Sequence, residues 1–130
     1  MSNNKNISVE IALPHKALEA IDANKVVIPV QNGDSVTILD ERAPTVFMLG
    51  AGLLQILNDN NKLIDQYFIS SGICNYAEQK CTIAISNYAD ANITEEEAKK
   101  ALEAAKVADE KDFYEAILSS IKLDKVNQYK

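Results

Sequence analysis

Short apolar runs punctuated by turn residues constrain this chain more than any other feature. Val26-Val27-Ile28-Pro29-Val30 is almost wholly apolar and mostly β-branched, and Gln31-Asn32-Gly33-Asp34 follows it directly. Branched side chains favour extended backbone, and glycine reaches positive φ without a Cβ clash. The segment is therefore a strand, expected centrally in a sheet, followed by a turn. Ser35 to Leu39 alternates apolar and polar residues and forms its partner. Asp40-Glu41-Arg42-Ala43-Pro44 opens a polar loop before the apolar Thr45 to Leu49, and Gly50 and Gly52 flank Ala51 at a bend. Leu53 to Leu57 and Lys62 to Ile69 flank the turn Asn58-Asp59-Asn60-Asn61. Ile73 to Ala77 and Lys80 to Ser86 flank Glu78-Gln79. Ile7 to Leu13 alternates at period two and stops at Pro14, whereas Ala17 to Asn24 suits a helical turn or a weak strand. Seven or more short strands at regular spacing predict an antiparallel β-sandwich or flattened barrel.

The pattern changes at Asn87. Thr94-Glu95-Glu96-Glu97 is a capping box, and three glutamates suit the positive end of a helix dipole. Ala98, Ala101, Leu102 and Ala105 recur at helical spacing, predicting a helix to about Lys106. Val107-Ala108 is the expected link, with Asp109 capping a second helix that carries a Phe113, Ile117 and Ile121 stripe. Facing stripes predict an antiparallel two-helix hairpin. The first stripe is mostly alanine and buries little area, so at about 25 cal/mol per Å² the hairpin is marginal alone. The expected organisation is a sandwich over residues 1–88 and a helical hairpin over 89–130.

With 130 residues, 47% hydrophobic, the chain holds one modest core. A formal charge of -6 and a pI near 4.7 make the chain a poor candidate for binding nucleic-acid backbone, which needs a basic footprint. No window approaches the roughly 20 apolar residues of a membrane span. The polar Met1 to Asn6 lacks the apolar stretch of a secretory signal, which places the chain in a cytoplasmic compartment.

No constellation of catalytic groups stands out. His15, the only histidine, follows a proline at a strand end and reads as a surface residue. Cys74 and Cys81 fall on apolar strands, where reduced cysteine fills core; a bridge, a metal or a catalytic thiol are the other readings. An enzyme built on either cysteine would need a depressed thiol pKa. No zinc-ligand spacing and no phosphate-cradling loop is present. An interaction or regulatory protein is the expectation, with no catalytic residue, metal or cofactor.

These segments, in this order, resemble the epsilon subunit family of the bacterial F-type ATP synthase, whose mitochondrial counterpart is called delta. The residues that carry the likeness are Val27-Ile28-Pro29, Gly33-Asp34, Val36 to Leu39, Ala43-Pro44, Ala51-Gly52-Leu53-Leu54 and Tyr67-Phe68-Ile69-Ser70-Ser71-Gly72-Ile73. They span about residues 7 to 106, and the second helix fits by position. The chain departs from the family pattern at Asp40-Glu41-Arg42, where relatives carry Pro-Gly-His. A glycine after the acidic position is missing, that loop is about one residue longer, and Ser71 replaces the first glycine of Ser-Gly-Gly.

The resemblance implies a non-catalytic central-stalk subunit that couples rotation of the c-ring to the catalytic head. Its implied partners are the gamma subunit and the c-ring, with the alpha and beta subunits added if the hairpin extends and inhibits ATP hydrolysis. By position the c-ring contacts are Gln31, Asn32, Gly33, Asp34 and Arg42, on a loop from Gln31 to Pro44. The second helix offers Lys111, Lys122 and Lys125 to acidic catalytic subunits. The implied place is the cytoplasmic face of the bacterial inner membrane, peripheral and not inserted. Some relatives bind ATP on the hairpin, but the arginine of their motif is Glu97 here, which repels phosphate; no ATP binding is expected. The alternative, from a different class, is a stand-alone β-sandwich adaptor or carrier.

Overall fold

The computed structural model describes residues 6 to 128, with side chains as far as residue 122. Ten strands precede two helices. The strands are β1 (Ile7–Ala12), β2 (Ile21–Ala23), β3 (Lys25–Pro29), β4 (Ser35–Leu39), β5 (Thr45–Leu49), β6 (Gly52–Leu57), β7 (Leu63–Ile69), β8 (Gly72–Ala77), β9 (Lys80–Ile85) and β10 (Tyr88–Asp90). The helices are α1 (Glu95–Ala104) and α2 (Ala108–Gln128). They form two five-stranded sheets, ordered β2-β1-β9-β8-β5 and β10-β7-β6-β3-β4. This is the expected sandwich followed by helices. The strand expected centrally, β3, is paired on both sides, by β4 and β6.

Alternation drives the packing. Along β1 the buried residues are Ile7, Val9 and Ile11, and their neighbours are half-buried. Ile7, Val9, Ile11, Ile83 and Tyr76 from the first sheet meet Val26, Ile28, Ile38, Leu54 and Ile56 from the second. Burying each large aliphatic side chain contributes about 1.5–3 kcal/mol. One corner joins the layers: an isolated bridge links Val30 to Leu49. There the Gln31 N–H donates to the Met48 carbonyl at 3.2 Å and Gly50 N–H to the Pro29 carbonyl at 3.1 Å. The sandwich is thus partly closed, as a flattened barrel is.

Three features differ from expectation. The sheets are antiparallel except for β1 and β9, which run parallel. These strands lie at opposite ends of the sandwich sequence, so no tight turn dictates their direction. Two three-residue strands, β2 and β10, are too short to show a period. β10 pairs with β7, so the second sheet runs to Asp90 and the expected division at 88/89 falls inside a strand. Finally, α1 stops at Ala104 with Ala105 extended, short of Lys106. α2 begins at Ala108, with Lys111 N–H donating to the Val107 carbonyl at 3.2 Å, so Asp109 sits in the first turn and is not the cap.

The start of α1 follows the sequence closely. Thr94 Oγ1 accepts the Glu97 N–H at 3.1 Å, and Glu97 Oε1 accepts the Thr94 N–H at 3.2 Å. Both orphan donors of the helix end are satisfied reciprocally. Thr94→Ala is expected to cost about 1 kcal/mol of helix stability. Faster amide exchange at Glu96 and Glu97, with the sandwich amides unchanged, would show it.

The helices lie on the outer face of the second sheet. Ala98, Phe113, Ile117 and Leu118 bury against Ala89 of β10, with Phe68 of β7 beside them. Phe68 alternates with Tyr67 and Ile69, which face the sandwich core, so it points outward to the hairpin. A cavity of about 530 Å³ remains between α2 and the sheet, lined by Leu53, Gln66, Phe68, Ala116 and Ile117 among others. The hairpin is docked but incompletely packed.

Candidate partner-binding surfaces

The turn after β3 is exposed from Gln31 to Asp34. Gly33 has φ +91°, which no β-carbon-bearing residue adopts cheaply. Asn32 Oδ1 accepts the Asp34 N–H at 3.0 Å, and Val30 N–H donates to the Asp34 carbonyl at 2.9 Å. These bonds hold the Asp34 carboxylate out on a short, ordered turn.

Arg42 is also exposed, but it lies on the next loop, beyond β4. Its guanidinium sits 4.9 Å from the centroid of the Phe47 ring, a cation–π contact. The Tyr76 hydroxyl donates to the Asp40 carbonyl at 2.7 Å and the Arg42 N–H to the Leu39 carbonyl at 3.2 Å, so the loop is pinned. β4 separates the two positions by five strand residues, or about 17 Å at the usual rise. The turn Gln31–Asp34 and Arg42 therefore stand at opposite ends of β4, and the structure does not gather them into one contact patch. Ser35 to Leu39 is a regular strand paired with β3 along its whole length.

The retained and the lost glycine of Ser70-Ser71-Gly72 have different steric roles. A Cβ on Gly72 would stand 2.1 Å from the Ala84 carbonyl oxygen. Ser71 is exposed, so a side chain is tolerated there.

A face that sequence reading missed lies on the outer side of the first sheet. Val46 is 62% exposed, Met48 53% and Ile73 46%. Met48 and Ile73 are direct cross-strand partners, and exposed Ala84 pairs with Ile73 on its other side. Clustered exposed apolar side chains mark an interaction face far more often than scattered ones do. The signal was present in Thr45-Val46-Phe47-Met48-Leu49, where four successive apolar residues abandon alternation: Phe47 and Leu49 face inward, and Val46 and Met48 face out.

Between the hairpin and the sandwich edge is a cleft of about 930 Å³. Glu19, Asp65, Asp90 and Glu97 line it with Tyr67, Tyr88 and Tyr114, and among the described residues no lysine or arginine does. The Tyr67 hydroxyl donates to Asp65 Oδ2 at 2.6 Å; burial first, then this carboxylate, push it up to about 12. Ile93 and Glu97 of the stretch that corresponds to the ATP motif lie in this acidic cleft. A phosphate chain would meet carboxylates there, and Glu97 is already committed to Thr94.

The remaining candidates are scattered. Lys111 and Lys122 are exposed on α2, and Lys125 falls outside the described side chains. His15 is exposed, as expected. Cys74 and Cys81 are free and wholly buried, so a substrate cannot reach either sulfur. Among the described residues no group of three or more His, Cys, Asp or Glu side chains could hold a metal ion. No helix is long and apolar enough to cross a membrane.

Comparison with known proteins agrees with this layout. The sequence model of the "ATP synthase, Delta/Epsilon chain, beta-sandwich domain" family matches residues 6–91. The ATP synthase epsilon chain of Granulibacter bethesdensis is 29% identical over 102 residues, 78% of this chain and 74% of the relative. That of Gluconacetobacter diazotrophicus is 30% identical over 77 residues, 59% of this chain and 53% of the relative. This match thus spans about half the length of that relative. In fold the chain is similar to one in the Euglena gracilis mitochondrial ATP synthase, in a structure of OSCP, F1 and c-ring. The TM-score is 0.65 at 20% identity, covering 89% of this chain and 81% of the other. A chain from the central stalk and c-ring of the Tetrahymena thermophila mitochondrial enzyme gives a TM-score of 0.55 at 14% identity, covering 94% and 96%.

Proposed function

The chain belongs to the ATP synthase delta/epsilon family, and on that premise we propose that it is a non-catalytic subunit of the enzyme's central stalk. It sits peripheral to the membrane, on the cytoplasmic face in a bacterium, and passes torque between the c-ring and the catalytic head. The epsilon-chain relatives and the stalk-containing structures of like fold support this reading over a free-standing adaptor.

The observation that carries it is the asymmetry of the two outer faces. The hairpin packs on Phe68 and Ala89 of the second sheet, which leaves Leu39, Leu63 and Ile64 exposed only at the ends of β4 and β7, whereas the first sheet exposes Val46, Met48 and Ile73 along one strand ladder. We assign this apolar face to the gamma subunit, whose shaft must be gripped without slip. A rigid, pre-formed apolar face suits that task, because little ordering entropy is lost on docking. The turn Gln31–Asp34 at one end of β4 is the part offered to the c-ring; Arg42 is at the other end and serves a separate contact. Lys111 and Lys122 remain free on the docked hairpin's surface to meet acidic catalytic subunits if it lifts. The acidic cleft supports the expectation that ATP does not bind here.

Co-expression with the gamma subunit of the same source, followed by size exclusion with light scattering, tests the proposal. A stable one-to-one complex is expected. Met48→Glu should weaken it at least ~10-fold by placing a charge against apolar surface. A folded monomer that ignores gamma would overturn the stalk reading, and an unaffected Met48→Glu complex would move the interface to another face.

A further inference from the structure

Cys74 and Cys81 are the chain's only thiols, and neither takes part in the surfaces described above. They lie on neighbouring antiparallel strands, both facing the core. In the β8–β9 ladder Cys74 stands opposite Ile83 and Cys81 opposite Tyr76, so the two are diagonal neighbours. Their Sγ atoms are 3.4 Å apart, and both residues are 0% exposed. This is a sulfur–sulfur contact inside a core built mostly of Ile, Val and Leu.

We propose that this pair is a modification site, a dithiol that closes into an internal disulfide, with a shift of β8 against β9, by exchange with a small-molecule disulfide. The thiolate of one cysteine attacks the small disulfide, whose S–S bond breaks, and one small thiol leaves. The second cysteine then attacks the mixed disulfide, the Cys74–Cys81 bond forms, and the second small thiol leaves. The protein loses two electrons and two protons, and the small disulfide is reduced to two thiols that carry both. Thiolate character directs the order of attack. The sulfur–sulfur contact, in which either thiol can be the donor, and burial hold Cys81 above the usual thiol range, and the same contact holds Cys74 lower. With both sulfurs buried, the exchange proceeds through brief opening of β8 and β9, which makes it slow in the docked, folded state.

The test is the redox equilibrium of the full chain in buffers of stepped reduced-to-oxidised glutathione ratio, in native buffer and in urea. Samples are acid-quenched, alkylated and weighed by mass spectrometry once they no longer change. The ratio of bridged to dithiol protein should be about tenfold higher in native buffer than in urea at the same glutathione ratio, because the fold supplies the proximity. The bridged form should be monomeric, have lost two hydrogens, and melt at a higher temperature than the dithiol. Cys74→Ser should abolish the two-hydrogen loss. An equal or lower ratio in native buffer, or accumulation of mixed disulfide without bridging, would overturn the proposal, since the fold would then oppose closure.

Discussion

Gly72→Ala is expected to destabilise the sandwich severely. The added methyl would stand 2.1 Å from the Ala84 carbonyl oxygen, 3.1 Å from its carbon and 3.0 Å from Ile85 Cγ2. The first obstacle is backbone of β9, and Gly72 is paired with Ile85 in that ladder. Relief therefore requires moving β8 away from β9, which breaks central pairing in the first sheet and disturbs Cys74 and Tyr76 behind it. Overpacking of this kind costs about 3 kcal/mol or more, a large share of the ~5–15 kcal/mol that holds a domain together. Urea denaturation followed by circular dichroism reads the effect as a collapse of the midpoint. Ser71→Gly, one position earlier and exposed, should stay within about 0.5 kcal/mol of the parent. A native midpoint for Gly72→Ala would mean that β8 can slide to a register in which residue 72 is clear of β9.

Phe113→Ala is expected to release the hairpin and leave the sandwich intact. Phe113 and Ile117 are the main buried anchors of α2, meeting Ala98 of α1 and Ala89 of the second sheet. Truncating a buried phenylalanine costs about 3–5 kcal/mol. The docked cluster is small, shares mostly alanine with α1, and leaves the 530 Å³ cavity unfilled. One anchor is thus comparable to the whole docking energy. Amide exchange over α1 and α2 should rise by orders of magnitude while strands β1, β8 and β9 stay protected. Unchanged exchange would show that contacts other than this cluster hold the hairpin down. In an assembled ATP synthase the same variant asks whether a freed hairpin alters ATP hydrolysis, which is the regulatory role proposed for Lys111 and Lys122.

Much of the architecture was legible in local sequence because local physics decides it. Turns at Asn32-Gly33 and Asn58 to Asn61 need residues that tolerate positive φ or bond their own backbone, and Gly33 and Asn61 do have positive φ. Glu78-Gln79 forms its hairpin with both residues at positive φ and neither glycine nor asparagine present; the flanking strands impose that turn. The capping box at Thr94 and Glu97 closes as written, since both partners lie within one helical turn. The stripe Phe113 and Ile117 correctly marks the buried side of α2.

What local sequence determined is the eight longer strands, β1 and β3 to β9, with most of their turns, the helix start and the order of sandwich before hairpin, all of which depend on residues a few positions apart. Tertiary structure alone decided which distant segments meet. It made β1 and β9 parallel neighbours and recruited β10 after the apparent end of the sheets. The physical reason is that a side chain's period of two assigns it to a face, but not to a partner. Which outer face is then covered depends on where the hairpin finds apolar surface, and here it found Phe68 and Ala89, leaving Val46, Met48 and Ile73 bare.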